Sequence, residues 1–192
     1  MQKNSPSESH GRAQKPKLSR AQKRFFERIW QMHWEAMYRA AFMGLRNECD
    51  AEDACQQTML QLIPHEHKLS AMDDSRLKRY IMTSVRHTVV SMLRARNPEV
   101  FLPEEVIDET TEPDAMPENV SQLISHEKLK AALMRLNEKD RLLLQWKYLE
   151  GLDDEEISAA LSCKRSSVHV LVYRTKARLM KILKEDEWFD EE

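Results

Sequence analysis

The chain has 192 residues with only 3 Gly and 7 Pro, a shortage of turn formers that excludes a sandwich, a barrel or a Gly-rich nucleotide cradle and favours an all-α fold. No apolar run approaches the roughly 20 residues that cross a bilayer. The polar N-terminus lacks an apolar signal core, and the three cysteines form no CxxC pair, so a cytoplasmic protein without membrane insertion is expected. The net charge of −2 conceals blocks: +6 over residues 1–100, eight acids and no base over 101–127, +5 over 128–182, and −5 over 183–192. Two basic modules separated by an acidic connector suit polyanion partners, and suit two ordinary solvated domains equally well.

Residues 1–18 combine Ser, Pro, Lys and Gln without a large apolar residue after Met1 until Leu18, which predicts a disordered tail. Ser19 followed by Gln22 forms a capping-box pattern, and Phe25, Phe26, Ile29, Trp30, Met37, Ala41 and Leu45 recur at mostly helical spacing, predicting a helix over about 20–46. Asp50 is a candidate cap for a second helix, AEDACQQTMLQLI, which stops before Pro64. HEHKLSAMDD then reads as a loop. A third helix is expected from Asp74 or Ser75 to about Arg96, with Leu77, Ile81, Ser84, Val85, Thr88 and Met92 on one face and mostly basic residues elsewhere.

Four prolines among acids mark residues 98–119 as an extended linker. Helical signals follow over 120–135, 138–149, 154–161 and 166–185, with a stop at Gly151 and a capping-box start at Asp153 and Glu156. The expected organisation is a 1–18 tail, a 19–97 helical domain, a 98–119 linker, a 120–185 domain and a 186–192 acidic tail. In GLDDEEISAALSCKRSSVHVLVYRTKARLMKIL, a short helix meets a tight turn at Ser162 and Cys163 and continues into a longer basic helix. That is a helix-turn-helix pattern, whose second helix enters a major groove, whereas an ordinary helical hairpin would not need the basic face.

The stretch LNEKDRLLLQWKYLEGLDDEEISAALSCKRSSVHVLVYRTKARL resembles the C-terminal DNA-binding domain of bacterial RNA polymerase sigma factors, in particular the two-domain extracytoplasmic-function (ECF) group. AEDACQQTMLQLI and RLKRYIMTSVRHTVVSMLRAR resemble, in the same order, that family's polymerase-docking helix and its helix for −10 recognition and strand opening. The resemblance implies an all-α protein of two helical domains joined by an acidic extended linker and ending in a helix-turn-helix. It further implies promoter recognition and strand opening, and no enzymatic activity or cofactor of its own.

Asp53, Gln56 and Gln57 match polymerase-contacting positions, where a carboxylate and amides can pair with Arg and amide donors. Ser70, Asp73 and Asp74 fall in the loop that captures a flipped base, and Arg79, Tyr80, Arg86 and His87 on the −10 helix. Lys164, Arg165, Ser167, His169, Val170, Tyr173 and Arg174 match the −35-reading turn and helix. The implied partners are the polymerase core (beta and beta-prime subunits) and promoter DNA, with an anti-sigma factor as a further class. Alternatives are a stand-alone helix-turn-helix regulator and a helical adaptor lacking DNA readout. His65, Glu66 and His67 lack metal-ligand spacing and read as a solvated loop.

Overall fold

The computed structural model describes residues 18–101 and 125–185. The remainder of the expected linker, residues 1–17 of the expected N-terminal tail and the expected acidic tail lie outside them, as do residues 120–124 of the predicted 120–135 helix. The described residues are helical, with no strand among them. Helix α1 (Arg20–Leu45) opens on the Ser19–Gln22 capping box and ends at Arg46, whose left-handed backbone (φ 55°) lets its N–H reach the Phe42 carbonyl. Its apolar stripe of Phe26, Ile29, Met37, Ala41 and Leu45 is buried against α2 (Glu48–Leu62) and α4 (Asp74–Arg96).

Two sequence expectations need correction here. The second helix is capped by Asn47, whose side chain accepts the Asp50 N–H, so it starts earlier than expected and Asp50 lies within its first turn. The expected 65–74 loop instead holds the end of a 3₁₀ turn (Ile63–His65) and a short helix α3 (Glu66–Ser70), pinned by Leu69, which is fully buried. Between α2 and α4 the buried hydroxyls of Thr58 and Thr88 lie 2.9 Å apart; Thr58 Oγ1 is 2.7 Å from the Ala54 carbonyl and Thr88 Oγ1 is 3.0 Å from the Ser84 carbonyl, so both are satisfied without water.

Pro98–Phe101 forms a 3₁₀ turn where an extended segment was expected, and Phe101 is buried under the Arg94 guanidinium, 5.8 Å from the ring centre. The C-terminal body comprises α5 (His126–Arg135), α6 (Glu138–Leu144), α7 (Asp154–Leu161) and α8 (Arg165–Glu185). The predicted 138–149 helix is regular only to Leu144; a π-helical turn over Gln145–Leu149 completes it. The wider turn leaves Trp146 buried and Tyr148 and Leu149 on the surface.

The two bodies share one apolar cluster, which runs from Phe26, Ile81 and Val89 to Leu142, Trp146, Ile157 and Val168. Helix α4 lies against α7 and the 98–101 turn against α6. Three polar contacts cross the same junction: Arg86 to Glu150 at 2.9 Å, His87 Nε2 to Ser162 Oγ at 3.1 Å, and Asn97 Nδ2 to Glu138 at 2.9 Å.

Candidate nucleic-acid interface

Helices α7 and α8 are joined by three residues. Ser162 takes a left-handed conformation (φ 55°) and Cys163 N–H bonds back to the Ser158 carbonyl, closing α7 and turning the chain sharply into α8. The turn brings Ala160 and Leu161 against Val168 and Val172, all buried. Opposite that seam, Lys164, Arg165 and His169 are exposed, and Ser167, Val170, Tyr173 and Arg174 are half-buried. An exposed basic start on a 21-residue helix, about 31 Å long, is the geometry by which a helix enters a major groove.

The orientation of α8 is set by a residue the sequence reading did not single out. Asp140, 1% exposed, receives the Thr175 hydroxyl at 2.9 Å and Arg178 Nη1 at 2.6 and 2.7 Å. Asn137 caps α6 by accepting the Asp140 N–H and donates its own Nδ2 to the same carboxylate. The signal was present: Asn137 followed three residues later by an acid is a capping pattern, but nothing local says that the acid also grips α8.

On α2, Asp53, Gln56 and Gln57 are exposed, together with Glu52 and Leu60. Their spacing places all five on one helical stripe. Leu60, 67% exposed, is the apolar member that sequence reading missed; periodicity could have placed it outside the buried face. Along α1, Trp30, Trp34, Tyr38 and Phe42 form a ladder with ring centres 4.3, 5.6 and 6.0 Å apart.

The start-proximal set divides. Ser70, Asp74 and Arg79 are exposed, and Tyr80 is half-buried beneath Lys68, whose Nζ lies 5.3 Å from the ring centre. Asp73 caps α4 by accepting the Arg76 N–H, and the Ser70 hydroxyl donates to the His67 carbonyl. Both polar groups therefore have protein partners already. Arg86 is turned inward, its side chain 12% exposed against Glu150, with Nε buried and without a hydrogen-bond partner. His87 remains exposed but touches the helix-turn-helix turn at Ser162. Arg86 and His87 thus face the C-terminal body in this arrangement. The His33 imidazole is held below its ordinary pKa by burial first and by Lys78 second, with Asp74 opposing. Burial pushes the Cys55 thiol up to about 12.

Residues 29–99 match the family model described as Sigma-70 region 2, and residues 126–179 match that described as Sigma-70, region 4. No curated protein sequence matches the chain. Among solved structures, the chain is similar in fold to the sigma factor RpoE from Bartonella quintana, crystallised in complex with the anti-sigma factor NepR. The match is 23% identical, with a TM-score of 0.50, and covers 85% of this chain and 99% of that one. No described helix is long and apolar enough to cross a membrane.

Proposed function

The chain belongs to the sigma-70 family and directs RNA polymerase to promoters; from that premise we propose that it is a two-region member of the ECF group, and which surfaces carry the function. The exposed α2 stripe of Asp53, Gln56 and Gln57 docks on the polymerase core, at its beta and beta-prime subunits, with Leu60 as an apolar anchor. Ser70, Asp73, Asp74, Arg79, Tyr80, Arg86 and His87 serve the −10 element and its opened strand. Lys164, Arg165, Ser167, His169, Val170, Tyr173 and Arg174 serve the −35 element. The chain supplies positioning and strand separation, and the polymerase supplies the chemistry.

The observation that carries this reading is the order of the surfaces. An acidic and amide-bearing stripe precedes a basic helix in the first matched region, and a helix-turn-helix with an exposed basic start follows in the second. Arg86 and Glu150 form an ion pair across the two regions, so −10 contact by Arg86 requires the C-terminal body to leave α4. Polymerase binding favours that separation if it holds the two regions apart, since a partner shifts an equilibrium by its differential affinity for the two states. An anti-sigma factor is the class of partner that would oppose it.

The test is a titration of core polymerase with Asp53→Ala combined with Gln56→Ala. These residues are exposed, so the fold is retained while affinity falls at least tenfold, as expected for charge-assisted contacts buried in an interface. Wild-type affinity in the double variant would remove the docking assignment.

A further inference from the structure

A groove of about 580 Å³ runs along the C-terminal body between α5, the π-helical turn and α8. Its floor is apolar: Leu129, Leu133, Met134, Leu149 and Met180. Met134 and Leu149 are 58% and 75% exposed, so large hydrocarbon surface faces water here. Lys130, Arg141 and Lys176 stand around it, and Arg46 joins them from the end of α1. An apolar floor among cations suits a short segment in which large apolar side chains are flanked by acids.

We propose that this groove is the docking site of the chain's own C-terminal segment, residues 186–192, DEWFDEE. That segment holds five acids and no base around the adjacent pair Trp188 and Phe189. It matches the groove in both respects, aromatic surface for the floor and negative charge for the surrounding cations. It also starts at the right place. Helix α8 ends at Glu185, and Lys176, Met180 and Leu183 of its last turns line the groove. Back along α8 from Glu185, Met180 is about 8 Å away and Lys176 about 14 Å, and the three to four residues from Glu185 to Trp188 and Phe189 span at most about 10–14 Å. That length is enough for a segment doubling back to bring its aromatic pair to Met180 with α8 unchanged.

Attachment makes the contact intramolecular, with an effective concentration in the millimolar range for a short tether. A contact too weak to form between separate molecules can then be well occupied. Its charged part weakens with salt while its aromatic part persists. Any partner helix that uses this face must first displace the segment.

The experiment compares amide spectra of the full chain and of a chain ending at Glu185, with the Trp188 indole resonance followed in the former. Deletion should shift the amides of Leu129, Lys130, Tyr148 and Met180 and leave those of α2 unmoved. Lys130→Glu with Lys176→Glu should move the Trp188 indole to its free-peptide position while the rest of the spectrum stays dispersed. A synthetic DEWFDEE peptide added to the shortened chain should restore the original groove shifts. Unchanged groove amides on deletion would overturn the proposal. Shifts in the full chain that grow with its own concentration would also overturn it, by showing a second copy in the groove.

Discussion

Glu150→Gln tests the junction between the two regions. In the structure one Glu150 oxygen accepts from Arg86 at 2.9 Å and the other from Gln145 Nε2 at 3.1 Å. The side chains are 12% and 22% exposed, so the pair is partly shielded but not sealed from water. A fully enclosed charge-assisted hydrogen bond contributes about 1.5–3 kcal/mol; discounted for the remaining solvent, the loss on neutralisation is about 1 kcal/mol. That weakens the closed arrangement about fivefold relative to the open one. Dyes on Glu35→Cys in α1 and Lys181→Cys in α8, with Cys49 and Cys163 replaced by Ser, report the distance between the regions. The open population of the free protein should rise about fivefold, and its affinity for single-stranded −10 DNA should rise where closure limits binding. An unchanged distance distribution, with unchanged DNA affinity, would refute the view that this ion pair holds the regions together.

Asp140→Ala should cost about 2 kcal/mol in a denaturant titration, because the buried Thr175 hydroxyl and the Asn137 amide lose their acceptor while the part-exposed Arg178 loses one partner; a loss below about 1 kcal/mol would refute the buried-network account. Gly44→Ala should lower the melting temperature despite the better helix propensity of Ala, since a Cβ there would lie 2.6 Å from the buried Val89 Cγ1. A thiol reagent at pH 8 should label exposed Cys49 rapidly and leave Cys55, with its thiol pushed up to about 12, unmodified until the protein unfolds. His33 has a folded pKa below its unfolded value, so its contribution is full above about pH 6.5 and is lost as acid protonates the unfolded chain. His33→Gln should therefore flatten that part of the stability–pH curve.

Much of the helical pattern was legible because amphipathic periodicity reports which side of a long helix is buried. Leu77, Ile81, Val85 and Thr88 were placed on one face of the third helix and are all buried. The five-residue α3 was missed since it is too short to show a period, and only Leu69 anchors it. The cap of α2 was misplaced because Asn47 and Asp50 are both good cap residues. Their geometry, and not their chemistry, decides between them. The π-helical turn also escaped, since widening one turn leaves no compositional mark. At the site, the α2 residues and the start of α8 were singled out by the family resemblance, and helical periodicity agrees with their exposure. The inward turn of Arg86 did not, because its partner Glu150 is 64 residues away. A pairing at that separation depends on how helices pack, which no local pattern records.

The apolar cluster shared by α4, α6 and α7 also has a thermal consequence. Parting the regions hydrates hydrocarbon, so opening carries a positive heat-capacity change. Near room temperature the drive to close is then largely entropic, and it weakens as water cools. The ion pair at Arg86 and Glu150 does not share that dependence. Cooling therefore shifts the hold between the two regions from hydrocarbon towards charge, and the same chain becomes easier to open, and more sensitive to salt, in the cold.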